Sequence, residues 1–191
     1  GSAIDAAVTA SAVLAVVEPA MTGIGGDCFV LMSKGGSDEI IAYNGNGAAP
    51  LKAVVGYFQE RGMTEIAADS IHAVTIPGAI EAWCRLVQDH GKFGIDRLLQ
   101  PAIHYAENGF PVAPRVAYDW AQEEEKLSSN AAAAGSYLVN GKAPKIGDRM
   151  RLPLLAKTLR EIAAKGAAGF YQGWVAEDMA HAMAALGGLH A

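Results

Sequence analysis

Apolar residues recur at Ile4, Val8, Leu14 and Val17 with small alanines between them, which predicts a narrow helix able to pack closely against a neighbour. Ser2 and Asp5 precede that stripe at capping-box spacing, with Asp where Glu or Gln is commoner. Pro19 stops the helix, because the residue before a proline avoids helical angles. After the loop "TGIGGD" the pattern shortens to two apolar runs, "CFVLM" and "EIIAYN", joined by the turn residues "SKGGSD". That pattern predicts a β-hairpin. "SIHAVTI" predicts a further strand, broken by Pro77-Gly78. A helix follows from about Ala79 to His90, where the histidine suits the negative end of the helix dipole and Gly91 serves as terminator.

Farther along, "IDRLLQPAIHYAENG" reads as a helix kinked at Pro101 and closed by Asn108-Gly109. "APRVAYDWAQEEEKL" reads as another, with Glu123, Glu124 and Glu125 on a solvated face. "NAAAAGSYLVNGKAPKIGDRM" reads as a loop region with one short strand, "SYLV", and a turn at Asn140-Gly141. Pro153 opens a helix that Gly166 ends, and "WVAEDMAHAMAAL" forms the last one. Roughly six helices thus stand against three or four strands, giving an α+β class that is helix-rich, with a hairpin and few strands. A buried sheet needs more strands than these, so the pattern predicts part of a larger sheet-containing fold. There is no internal repeat, no linker that splits the chain, and no low-complexity tract beyond the alanines at 131–134.

Composition changes that picture little. The 191 residues are 51% hydrophobic and 18% charged, with a mean hydropathy of +0.17, as expected of a globular chain the size of one domain. A net charge of −5 and a pI near 5.5, with scattered basic residues, exclude the electrostatic footprint of a nucleic-acid binder. No stretch approaches the roughly 18 consecutive apolar residues of a membrane span. The sequence opens on "GSAIDAAV" without Met, so the lack of a signal segment says nothing about compartment. Cys28 and Cys84 stand far apart with no partner motif and read as buried free thiols.

Candidate chemistry is sparse. There is no Gly-x-Ser-x-Gly elbow. Ser70 and His72 lie two apart on one strand face, but lack the third group that would orient them, and read as strand-edge polar residues. The five histidines (His72, His90, His104, His181 and His190) include no His-x-x-x-His pair, so neither metal nor cofactor is called for. In "TGIGGD" the order is helix, glycines, strand, the reverse of a dinucleotide fingerprint. Close packing of that loop against another backbone is the better reading.

Several segments in order carry a more specific signal: "GSAIDAAVTASAVLAVVEPAMTGIGGDCFVLM", "AYNGNGAAP", "TIPGAIEAWCRLVQDHGKF", "LLQPAIHYAENGFPV" and "GDRMRLPLLAKTLREIAAKGAAGFYQGWVAEDMA". Together they cover essentially the whole chain and resemble the large subunit of the gamma-glutamyltranspeptidase family. The resemblance implies an N-terminal-nucleophile (Ntn) hydrolase fold, a four-layer αββα sandwich. Residues 1–191 would be the N-terminal portion of the large subunit. The resemblance also implies a precursor that cleaves itself to expose a threonine amino terminus on a small subunit, the chain's partner, whose hydroxyl attacks an amide carbonyl. No catalytic residue is then expected in this chain. Its substrate would be a small γ-glutamyl or related acyl amide. The family is often periplasmic or extracellular, but cytoplasmic relatives exist.

One departure stands out. Where the family has Asp-x-Arg-Glu-x-Ala-Pro, this chain has "NGNGAAP", which puts Asn44 at the Asp position and Asn46 at the Arg position. In typical members that arginine grips the substrate's α-carboxylate, a task suited to a guanidinium fork. Losing a charged partner costs on the order of 1.5–3 kcal/mol, about tenfold to a hundredfold in affinity. Asn46 and Asn44 are therefore the candidate substrate-binding residues. Three readings follow: a γ-glutamyl enzyme with rearranged carboxylate recognition, an acylase of glutaryl or cephalosporin type, or a non-catalytic scaffold. Both asparagines also suit a plain turn.

Overall fold

The first helix, α1 (Ala3–Val17), starts where the capping box was expected. The Asp5 amide donates to Ser2 Oγ (3.1 Å), and the Ser2 amide donates back to Asp5 Oδ2 (2.5 Å). Its buried stripe is Ile4, Val8, Ala12, Ala15 and Val16, whereas Leu14 is 39% exposed. The expected stripe through Leu14 and Val17 is thus rotated, because true helical spacing from Ile4 and Val8 lands on Ala12 and Ala15.

The computed structural model describes residues 1–190 and resolves them into two units, each built from two stretches of chain. The first joins Gly1–Gly23 to Leu86–Gly166 and contains α1. Here the predicted helix over "IDRLLQPAIHYAENG" divides into α4 (Ile95–Leu98) and α5 (Gln100–Asn108). Pro101 falls in the first turn of α5, where its missing N–H needs no partner, so the chain breaks before it instead of kinking at it. Gly109, at φ +88°, closes α5.

Beyond it, β3 (Phe110–Pro111) pairs antiparallel with β4 (Arg149–Met150), a ladder the pattern did not announce. The next predicted helix also divides, at Glu123, into α6 (Pro114–Gln122) and α7 (Glu124–Ser128). Glu124 is not merely solvated: it accepts from the Ala143 amide (2.8 Å) and pairs with Lys142 (3.0 Å). The expected loop from Asn130 instead begins as α8 (Ala131–Tyr137), with Asn130 Oδ1 accepting from the Ala133 amide (3.0 Å). The strand expected at "SYLV" is therefore absent, and only a lone bridge joins Val139 to Lys142. Helix α9 (Pro153–Lys165) ends at Gly166 as expected. Trp120, Phe110, Leu99, Ile103, Leu159 and Ile162 are the large side chains of this core.

Asp5 is the buried charge of the first unit, at 3% exposure. Beyond Ser2 it accepts from the amides of Lys92 (3.0 and 3.2 Å) and Phe93 (3.4 Å), tying α1 to the turn after the following helix. Burial is the largest single influence and pushes this carboxyl up. The amides of Ser2, Lys92 and Phe93 and the Ser2 hydroxyl together outweigh it, and hold it below the ordinary aspartate value.

The second unit comprises Ile24–Arg85 and residues 167–190. Its hairpin, β1 (Cys28–Ser33) and β2 (Ile40–Gly45), runs in register from Cys28–Gly45 to Ser33–Ile40. One hairpin face is open to solvent, with Phe29, Leu31 and Ile40 all more than half exposed. Short α2 (Val55–Gln59) follows, and α3 (Ala79–His90) begins in this unit. The strand expected at "SIHAVTI" does not form. Ser70 instead caps a single 3₁₀ turn, Ile71–Ala73, and Ile76 donates one backbone bond to the Ala48 carbonyl (2.9 Å). β-branched composition suits a strand only where a neighbour supplies a ladder. Short α10 (Ala168–Tyr171) and the longer α11 (Gly173–Ala185) complete the unit.

Candidate substrate-binding loop

Strand β2 delivers the loop "NGNGAAP" onto the start of α3. Along it, burial alternates as in a strand: Asn44 and Asn46 are exposed, whereas Gly45 and Gly47 are buried. Asn44 Oδ1 accepts from the Asn46 amide (3.0 Å), an Asx turn that satisfies the turn reading of both asparagines. Neither side chain is held inside, so the turn leaves both exposed.

Three glycines make this geometry possible. A methyl on Gly45 would lie 2.6 Å from the Cys28 carbonyl oxygen and 2.7 Å from Ala82 Cβ. One on Gly47 would collide with the Ile76 carbonyl oxygen, and one on Gly78 with that of Gly45. The loop therefore lies backbone to backbone on the Pro77-Gly78 turn. In "TGIGGD" Gly23 and Gly25 have open space around them, and the close packing against another backbone expected of that loop falls at Gly26. What the loop contributes is the Gly26 carbonyl, which accepts from the amides of Gly78 (3.0 Å) and Ala79 (2.9 Å), and Asp27. Exposed Asp27 accepts the Gly47 amide on Oδ1 (2.9 Å).

Tyr171 completes the support. Its hydroxyl donates to the Pro77 carbonyl (2.6 Å) and accepts from the Glu81 amide (3.1 Å), capping α3 from about ninety residues away. Burial pushes this phenol up, which keeps it protonated and able to donate. Sequence reasoning missed Tyr171. Its one signal is an aromatic hydroxyl in "GFY", which does not say what it meets.

The remaining candidates are inert. Burial, reinforced by Glu81, pushes the Cys84 thiol up to about 11, and burial likewise raises Cys28. Both are free, as expected, though half-buried rather than fully enclosed. His72 donates its backbone amide to Ser70 Oγ (3.2 Å), and its ring stands edge-on to Tyr57 and Phe58, each 5.6 Å away. That pair serves a turn, not a strand edge. Among the described residues no group of His, Cys, Asp or Glu could hold a metal ion, and no helix is long and apolar enough to cross a membrane.

What the geometry defines is a helix-rich α+β chain with one loop packed backbone to backbone on the Pro77-Gly78 turn. The profile of the gamma-glutamyltranspeptidase family matches residues 1–191. This chain belongs to that family. It is 38% identical over 192 residues to the oxamate amidohydrolase proenzyme of Klebsiella pneumoniae, covering 98% of this chain and 36% of the relative. The gamma-glutamyltranspeptidase of Helicobacter pylori superimposes with a TM-score of 0.91 at 32% identity, over 98% of this chain and 54% of that one. A cephalosporin acylase from Bacillus halodurans superimposes with a TM-score of 0.89 at 34% identity, over 98% of this chain and 36% of that one. The chain spans about a third of the length of the curated relatives it matches.

Proposed function

We propose that this chain is the N-terminal portion of the large subunit of a gamma-glutamyltranspeptidase-like amidohydrolase and acyltransferase. In this reading the whole protein cleaves γ-glutamyl amides of the glutathione type. A threonine, freed by self-cleavage of a precursor, is the nucleophile and lies on the small subunit. Asn46 and Asn44 form part of the acyl pocket. The observation that carries the reading is the family match over the full chain, and the likeness of "NGNGAAP" to the family's carboxylate-gripping motif supports the role given to Asn46. The open apolar face of the hairpin supports an αββα sandwich in which further strands of the precursor cover Phe29, Leu31 and Ile40.

A second reading, an acylase with a different acyl preference, draws on Asn46 itself and on the likeness to the cephalosporin acylase. The two are separated by steady-state kinetics of the full-length processed protein on γ-glutamyl and glutaryl 4-nitroanilides, with Asn46→Arg beside it. Restoring the guanidinium at this position is expected to lower KM for carboxylate-bearing substrates about tenfold or more. Unchanged KM values in Asn46→Arg would remove position 46 from carboxylate recognition.

A further inference from the structure

Four Asn-Gly pairs occur along the chain, at 44–45, 46–47, 108–109 and 140–141. Such a pair carries a reaction of its own. The glycine nitrogen is bonded to the asparagine's main-chain carbonyl carbon, within reach of the side-chain Cγ, and glycine has no Cβ to obstruct the approach. That nitrogen must first lose its proton to base. An amide that is buried, or that donates to an acceptor, is therefore shielded until the chain opens locally.

Three of the four pairs are shielded in this way. Gly45, Gly47 and Gly109 are all buried. Gly45 sits opposite Cys28 in the hairpin ladder, packed against the Cys28 carbonyl and Ala82. The Gly47 amide donates to Asp27 Oδ1 (2.9 Å), and the Gly109 amide to the Tyr105 carbonyl (2.9 Å). The asparagine side chains are engaged as well at two of these sites. Asn44 Oδ1 accepts from the Asn46 amide, and Asn108 Nδ2 donates to the His104 carbonyl (3.1 Å).

Asn140-Gly141 differs on each count. The turn read from the sequence forms here, between Val139 and Lys142, whose backbones exchange hydrogen bonds of 2.8 and 3.1 Å. Asn140 and Gly141 occupy its tip at φ +52° and +78°, left-handed geometry that favours these two residue types. Both are exposed, and neither the Gly141 amide nor the Asn140 side chain has a hydrogen-bond partner among the described residues. The stem below is held in place, because Glu124 pairs with Lys142 and accepts from the Ala143 amide.

We infer that Asn140 is a site of spontaneous covalent modification, deamidating through a cyclic imide while the other three pairs stay intact in the folded protein. The deprotonated Gly141 nitrogen attacks Asn140 Cγ, the Cγ–Nδ2 bond breaks, and the side-chain nitrogen leaves as ammonia after taking a proton from water. A second water then opens the imide. Breaking the bond from the Gly141 nitrogen to Cγ leaves aspartate in the original chain. Breaking the bond from that nitrogen to the main-chain carbonyl carbon leaves isoaspartate, with the chain running through Cβ and Cγ. The net change is water taken up and ammonia released, with no oxidation or reduction. Isoaspartate lengthens the backbone at the tip by a methylene, and either product sets a new carboxylate near Lys142, the partner of Glu124.

Peptide-mapping mass spectrometry of the full-length processed protein, kept folded at mildly alkaline pH, reads the amide-to-acid mass change at each pair. Conversion at Asn140 is expected to be about tenfold or more faster than at Asn44, Asn46 and Asn108, the hindrance of one engaged amide that must first open. In urea sufficient to unfold the protein, the four pairs should convert at similar rates. Asn140→Gln, which could close only a larger imide ring, should abolish conversion at this position and leave the other three unchanged. Equal rates at the four pairs in the folded protein, or an Asn140 that stays intact there, overturn the inference. A rate gap that persists in urea overturns it too, because flanking sequence rather than the fold would then select the site. None of these outcomes touches the amidohydrolase reading.

Discussion

Asp5 and Gly47 are the two residues on which local geometry leans most heavily. Asp5 carries a carboxyl held below its ordinary value, so its contribution to stability is fully present above the unfolded aspartate value of 3.8 and is lost as pH falls through the lower folded value. Asp5→Asn is expected to lower stability at neutral pH and to flatten its decline below about pH 4. Urea titrations of the full-length protein across pH 2.5–7, a range chosen to bracket roughly that carboxylate, measure both effects. An unaltered pH slope would mean the buried carboxyl is not what α1 and the Lys92 turn depend on. Gly47→Ala forces a methyl into the Ile76 carbonyl, and overpacking of this kind costs about 1–3 kcal/mol. Because the loop can relieve the clash only by moving, KM for the acyl donor should rise in this variant along with the loss of stability. A drop in melting temperature with KM unchanged would place the loop away from the substrate.

Helices, at the next scale up, owe their ends to partners of quite different sequence separation. The starts of α1 and α8 are capped within three residues, by Ser2 and Asn130. The start of α3 is capped across ninety residues by Tyr171, which also holds the Pro77 carbonyl beneath the asparagine loop. Tyr171→Phe removes two hydrogen bonds of about 1 kcal/mol each. Amide exchange of Glu81 in the full-length protein should speed up by roughly tenfold or more as a result. Exchange there as slow as in the parent would show that α3 does not need the tyrosine. This contrast also explains what was legible in advance. The capping box, the hairpin, α3 and α9 follow from rules acting within a few residues, and the pattern announced them. The strand at "SIHAVTI" was misread because strand formation is decided by a neighbour, and Ile76 finds only Ala48. The break at Leu99 and the helix at Ala131 were misjudged by one turn chemistry each: where a proline is tolerated, and what an asparagine caps.

At the largest scale, the described residues of the two units hold sheets of two strands each, while an apolar hairpin face stands in solvent. A chain in that condition is expected to need the remainder of its precursor. Expressed and purified alone, residues 1–191 should hydrolyse no γ-glutamyl 4-nitroanilide, whereas the processed full-length protein should. Turnover by the isolated chain, checked by release of 4-nitroaniline, would refute the assignment of the nucleophile to the small subunit. The three relatives compared bear names for different substrates, so membership of the family leaves acyl preference open, and the proposed reading looks for this chain's own answer at the loop of Asn46.

By itself the sequence determined the class of the fold, the local elements whose caps and turns lie within a few residues, and, through the order of its motifs, the family and the position of the asparagine loop. Periodicity and capping act over one or two turns, and motif order survives without any knowledge of contacts. Only the tertiary structure decided which glycines are needed for close approach, that Asp27 bonds the loop of Asn46, and that Tyr171 holds the Pro77-Gly78 turn beneath it. Those facts are distances between residues about 20 and 90 positions apart, and no local pattern encodes them.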